Sequence, residues 1–465
     1  MSRSDYLVVG AGASAMAFVD TMFHETDATF TLIDRRPAAG GHWNDSYPFV
    51  QLHQPASCYG VASLPLGSGR IEDSGYNEGL PSLASGPAVV AHFHQALRET
   101  MLPSGRVRFI PMAEHLGDGD YVSLLSGERG HVEAATMVDA TLLQTSIPLT
   151  HRRSFEVAAG VACVPPNDLP RQAPSSTHIT VLGAGKTGFD CVSWLLANGA
   201  PPERISWVVP RDPWVFNRAG APSTLELFEA SASLLIAQSE AIVAAASLED
   251  MALRCEAAGV WMRLDPDIPA SMYHAANVSV VEMEHARRVR NVIRLGRVTA
   301  IHPDELILER GSVPVVPNTL FVDCTASALD GNVGVRAPVF EPGRIALQMI
   351  RQYQPTFSAA LIGHLEATMG DGDEKQAMAQ PVPMSDTIED YARGRITSTL
   401  NEGRWAASPE VASWVAACRL NVTAAWSTIP ENDVAKRALL ARLRELGPAV
   451  VQRLTELVEV SAPLA

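Results

Sequence analysis

The chain opens on an apolar run, "YLVVGAG", that ends in glycines. "ASAMAFVDTMFHE" follows with apolar residues at helical spacing, and "TFTLIDRR" is apolar again over the length of a strand. Strand, glycine turn, helix and strand make a βαβ unit. Such units build parallel, doubly wound sheets that bind ligands at the carboxyl ends of their strands. The pattern returns in mid-chain, with "HITVLGAG" as strand and turn, "KTGFDCVSWLLANG" as a helix closed by Gly199, and "RISWVV" as strand. Between the two units, Leu66 to Pro87 is rich in Gly, Ser and Pro and reads as a long surface loop, a kind that often carries function.

"MVDATLLQTSIP" reads as a buried strand leaving the first unit, and the Pro-rich "VPPNDLPRQAPSS" as a boundary. An Ala-rich helical stretch, about 222–260, begins with a capping box of Ser223 and Glu226 and reads as an insertion. "TLFVDCTASAL" resembles "MVDATLLQTS", so the two are expected as matching strands where the chain crosses between domains. "FSAALIGHLEAT", Phe357 to Thr368, reads as a buried strand, and the pattern from Asp386 onward is helical. The expected fold is α/β, with two Rossmann-like dinucleotide-binding domains, a helical insertion and a helical C-terminus. Its parts are a first domain over 1–165, a second over 175–325, a return to the first over 326–385, and a helical region over 386–465.

Composition narrows the partners. With 465 residues, 47% hydrophobic and a formal net charge of −15, the chain argues against nucleic acid or an anionic membrane as partner. No apolar stretch is long enough to span a bilayer, and "MSRSDYLVVGAGAS" lacks a signal-peptide pattern. The six cysteines include no C-x-x-C pair, so a cytoplasmic protein with free thiols is expected. The C-terminal helices are compatible with a homodimer.

"VLGAGKTGFD", Val181 to Asp190, has the look of an ATPase phosphate loop. That motif needs a glycine at position 180, where Thr180 stands, and a loop where Val181 and Leu182 continue a strand. The dinucleotide template fits instead, as Gly183-x-Gly185-x-x-Gly188 follows a strand and opens a helix. Lys186 and Thr187 lie inside it, and Lys186 reads either as a phosphate contact or as a solvated helix-start lysine. Upstream, Gly10-x-Gly12-x-x-Ala15, with Ser14 inside it, has the same context, and Asp34, followed by Arg35, ends the next strand. A carboxylate there accepts both ribose hydroxyls of an adenosine, as FAD requires. After the second motif the corresponding place holds Arg211, suited to the 2′-phosphate of NADPH, although the adjacent Asp212 leaves NADH open. Two such sites imply electron transfer between FAD and NADPH.

With "VVGAGASA", "LIDRRPAAGGHW", "VLGAGKTG" and "VVPR" in this order, the chain resembles the flavin-dependent monooxygenases: FMO-type, Baeyer–Villiger and N-hydroxylating enzymes. The resemblance implies that Gly40, Gly41, His42 and Trp43 lie beside the flavin. It also implies that NADPH reduces FAD, that O2 adds to the flavin C4a, and that the (hydro)peroxide oxygenates a small organic substrate. Related enzymes carry Asp or Asn near the reactive edge where this chain has His53, followed by Gln54. His53 reads as a hydrogen-bond donor or acid/base group near neutral pH, or as a structural histidine. The family's F-x-G-x-x-x-H signature is absent before the second motif, and "DATLLQTS" and "DCTASAL" replace its Ala-Thr-Gly. These departures mark a divergent branch and keep two alternatives open: an FAD-dependent NAD(P)H reductase or oxidase, and a nucleotide-binding protein without catalysis.

Overall fold

The computed structural model describes residues 2–143, 145–221, 224–327 and 337–461. The first βαβ unit forms as its pattern requires, from β1 (Ser2–Val9), α1 (Ala13–Glu25) and β2 (Phe30–Ile33), with Val9 opposite Ile33 in parallel register. After α2 (Gly86–Gln95) and β3 (Val107–Ile110) comes a meander of β4 (Ala113–Gly117), β5 (Asp120–Ser123) and β6 (Arg129–Asp139). The chain then crosses to a second sheet through β7 (Glu156–Val157), β8 (Ala162–Val164) and the short α3 (Leu169–Gln172). The crossing precedes the Pro-rich connector, because β8 already pairs with the second sheet.

The second unit is β9 (His178–Leu182), α4 (Lys186–Ala197) and β10 (Ile205–Val208). Next come β11 (Trp214–Asn217), the inserted helices α5 (Phe228–Ala244) and α6 (Leu248–Ala257), β12 (Trp261–Arg263), β13 (Asn277–Val278) and α7 (Val280–Ala286). β14 (Asn291–Ile293), β15 (Val298–Ile301), β16 (Glu305–Leu308), β17 (Gly311–Pro314) and β18 (Thr319–Asp323) complete this part. The chain returns to the first sheet as β19 (Phe340–Glu341) and β20 (Arg344–Ala346), followed by α8 (Pro355–Thr368) and α9 (Asp373–Met378). It ends in α10 (Ile388–Ala407), α11 (Pro409–Ala417) and α12 (Val434–Ser461).

The two sheets repeat one plan. The first runs β20-β6-β1-β2-β3 and the second β8-β18-β9-β10-β14, all parallel along these paths. The resemblance of "VDAT" to "VDCT" is structural: β6 lies beside β1 and β18 beside β9. Asp139 accepts the N–H (2.9 Å) and hydroxyl (2.7 Å) of Thr141, and Asp323 those of Thr325 at 3.1 and 2.7 Å. Ala328 and Leu329, the end of the second stretch, lie outside the described residues.

Residues 357–368 form helix α8, not the expected strand. Every residue from Thr356 to Leu365 is buried, so the segment is covered on all sides and shows no helical alternation of apolar and polar faces. Gly363 allows this close seat: a Cβ there would stand 3.1 Å from the Phe18 carbonyl of α1. The insertion is helical as expected, and α5 packs against α12. Ser223 lies outside the described residues, and α5 starts only at Phe228, beyond Glu226. Among the described residues no helix is long and apolar enough to cross a membrane.

Candidate functional site

The two glycine turns are built alike. Gly10 N–H donates to Ile33 O at 2.8 Å, and Gly183 N–H to Val208 O at 3.0 Å. Both glycines have positive φ (101° and 113°), and the neighbouring strand's end passes close behind each. A Cβ at Gly10 would meet Ala140 O at 3.5 Å, and one at Gly183 would meet Cys324 O at 2.6 Å. Gly12 and Gly185 cap α1 and α4 without a side chain, and neither first turn contains an acid. The opening N–H groups of both helices therefore suit an anion.

The first turn is roofed by the Gly40-Gly41 loop. Gly40 N–H donates to Ala11 O at 2.8 Å, and a Cβ on Gly41 would stand 2.9 Å from Gly12 Cα. The roof continues into His42, stacked on Trp43 at 5.3 Å, and Trp43 Nε1 donates to the Tyr59 hydroxyl at 2.8 Å. Burial, reinforced by Arg36, lowers the His42 pKa to about 4. Buried Asp34 reaches back into the turn, accepting Ala11 N–H at 2.6 Å and Arg36 N–H at 2.7 Å. Arg35 is exposed and pairs with Glu114 at 2.5 Å. Ser14 and Ala15 lie in the first turn of α1. Beside Trp43 a groove of about 720 Å³ opens between Tyr47, Val90 and His94.

The second turn is surrounded by charge. Gly188 is required by packing, since a Cβ there would stand 2.2 Å from Gly183 O. Thr187 is half-buried, and Gly185 faces open space. The Lys186 ammonium turns into the protein, donating to Asp190 and, at 3.2 Å, to Glu282 of α7. Those two carboxylates keep Lys186 charged, outweighing its burial. Glu282 also takes Arg218 at 2.8 Å, and Arg218 donates further to Asn77 Oδ1 (2.9 Å), His53 O (3.1 Å) and Asn277 O (3.1 Å). Tyr47 donates its hydroxyl to Asp190 at 2.6 Å.

A single polar lattice thus joins Tyr47, His53 and Asn77, which lie between β2 and α2, to α4, α7 and Arg218. Asn77 comes from the long Gly/Ser/Pro loop, where Tyr76 also donates to Ser193 O at 2.9 Å. His53 and Gln54 lie together in a half-buried bend. Loss of solvation, together with the charges of Lys186 and Arg218, holds the His53 pKa well below the ordinary histidine range. A ring so held is uncharged at pH 7 and can still give or accept a hydrogen bond. Arg211, beyond β10, is bound by Asp386 at 2.6 Å. Sequence reasoning singled out none of Tyr47, Asp190, Arg218, Glu282 and Asp386. Only the Lys186–Asp190 pair left a signal, four residues apart on one helix.

No family pattern matches the chain. Among solved structures it is similar to a flavin-containing monooxygenase from Stenotrophomonas maltophilia, at 13% identity and TM-score 0.47, over 79% of this chain and 99% of that one. It is also similar to the bacillithiol disulfide reductase of Staphylococcus aureus, at 8% identity and TM-score 0.47, over 80% of this chain and 100% of that one. Among curated sequences it is 40% identical over 425 residues to the uncharacterized protein Rv2000 of Mycobacterium tuberculosis, covering 91% of this chain and 78% of that protein. The uncharacterized protein Mb2023 of Mycobacterium bovis matches with the same figures. The chain belongs to the family of these mycobacterial proteins.

Proposed function

We propose that this chain is an FAD-dependent oxidoreductase that takes electrons from a nicotinamide dinucleotide and uses O2 to oxygenate a small organic molecule. One observation carries the reading: two glycine turns of equivalent geometry end the central strands of two equivalent sheets. Electron transfer between two nucleotides needs one framework that holds both.

The residues present fit both groups. Gly10, Gly12, Ser14 and Ala15 would hold the FAD pyrophosphate on the α1 N-terminus, with Asp34 at the ribose and Gly41, His42 and Trp43 alongside the flavin. Gly183, Gly185, Thr187 and Gly188 would hold the second dinucleotide, NADPH being the form that Arg211 suggests by its position. Lys186 would act there through its field, because its ammonium is already bound by carboxylates. Bound FAD would supply two-electron transfer and reactivity with O2. His53, kept neutral, offers a hydrogen bond without a charge at the junction, and the paired groups around Arg218 hold that junction together.

The purified protein is expected to be yellow and to bleach anaerobically on addition of NADPH or NADH. With amines, sulfides or ketones as substrates, O2 uptake should match oxygenated product. A colourless protein that takes up no FAD overturns the reading. O2 uptake without oxygenated product favours the alternative, an NAD(P)H reductase or oxidase on the same scaffold.

A further inference from the structure

In a doubly wound sheet, the adenosine ribose of a bound dinucleotide is met at the carboxyl end of the second strand. Here that strand is β10, which ends at Val208, and Val208 accepts Gly183 N–H of the second glycine turn at 3.0 Å. Arg211 follows, but its guanidinium is already taken. Nη2 donates to Asp386 Oδ1 at 2.6 Å and Nη1 to Oδ2 at 3.2 Å, a bidentate pair between residues 175 apart in sequence. His274 Nε2 lies 2.6 Å from the same Oδ1, and Tyr273 N–H donates to the Asp386 backbone carbonyl at 2.9 Å. Main chain and side chain together therefore fix Asp386 in this position. Desolvation lowers the His274 pKa, so the imidazole adds no positive charge at neutral pH.

The adjacent pair has the same character. Buried Asp212 accepts from Arg294 Nε at 2.9 Å and Nη2 at 3.0 Å, and Asp265 lies 3.6 Å from Arg294. Arg211 is thus engaged by Asp386, and Arg294 by Asp212 and Asp265, so neither arginine beyond β10 lacks a carboxylate partner.

We propose that Asp386 is the specificity residue of the second nucleotide site: it occupies Arg211 and adds a carboxylate beside it, so that the site takes NADH over NADPH. The proposal rests on the reading of the second glycine turn as a nicotinamide-dinucleotide cradle. A 2′-phosphate brings a charge of about −1.5 to −2 and would have to break a bidentate pair while lying against Asp386. A free 2′-hydroxyl needs only an acceptor, which the carboxylate is. Arg211 alone points to NADPH; Arg211 held by Asp386 points the other way.

Calorimetric titration of the purified protein with NAD⁺ and NADP⁺ measures affinity without turnover. Wild type is expected to bind NAD⁺ more tightly. Asp386→Asn keeps the shape without the charge and is expected to tighten NADP⁺ on the order of tenfold. Adding Arg211→Gln to that variant is expected to abolish the gain. The proposal is overturned if NADP⁺ is the tighter ligand of wild type, a result that decides even if the variant fails to fold. It is also overturned if a folded Asp386→Asn protein keeps the wild-type ratio of the two affinities. Binding of neither dinucleotide overturns the cradle reading together with the proposal, whereas binding of either with an unresponsive ratio overturns the proposal alone.

Discussion

The two βαβ units share strand order, turn hydrogen bonds and capping glycines, yet their surroundings differ. Around the first turn the neighbours are backbone and aromatic apart from one carboxylate: Gly41 lies on Gly12, Trp43 donates to Tyr59, and Asp34 folds onto the Ala11 N–H. Around the second turn they are charges: Lys186, Asp190, Glu282 and Arg218 inside, Arg211 and Asp386 outside. A pocket of backbone groups offers an anion N–H donors without breaking an ion pair. A pocket whose cations already have partners accepts an anion only where it leaves those pairs intact or offers more than they do. One architecture can therefore present two helix N-termini of different selectivity toward an anion.

The sharpest way to break the comparison is Arg218→Met. Arg218 is buried, and its loss leaves Glu282 short of one of its two cations, so the expected cost is about 3–5 kcal/mol in urea unfolding. A loss close to zero would mean that the lattice holds nothing together. Second in size is a swap at the third motif position. Gly188→Ala forces a Cβ against Gly183 O and should cost about 1–3 kcal/mol. Ala15→Gly should cost only about 1 kcal/mol, the usual penalty of glycine within a helix. Equal melting temperatures for the two variants would refute the difference in packing.

The smallest effect concerns pH. His42 and His92 are lowered to about 4, both mainly by burial, and His53 lies well below its ordinary value. Because each takes up its proton more readily unfolded than folded, their contribution is present above the unfolded value of about 6.5 and is lost as pH falls below it. His53→Gln should flatten this acid limb by about 1 kcal/mol over the first pH unit below 6.5. An unchanged limb, with wild-type stability at pH 7, would mean that burial and the charges of Lys186 and Arg218 do not hold His53 neutral.

The βαβ units, both glycine motifs, Asp34 and the helical insertion were legible because they rest on local pattern: apolar periodicity, turn glycines and fixed offsets along one segment. Gly41 entered only through resemblance, and its contact with Gly12 joins residues that no spacing rule connects. Residues 357–368 misled because a helix buried on every side has the same apolar run as a buried strand. His53 was noticed as a residue type, but its protonation depends first on its burial in the folded chain and then on Lys186 and Arg218, which stand far from it in sequence.

Position along the chain thus settles where each glycine turn begins and which backbone groups line it, since a turn and the helix after it are specified by adjacent residues. What surrounds the turn is settled by folding. Charge acts through space, and the partners of Lys186, Arg211 and Arg218 come from Glu282, Asp386, Asn77 and the His53 carbonyl, far off in sequence. Arg211 read alone is a phosphate-binding arginine; with Asp386 across from it, it is one half of an ion pair.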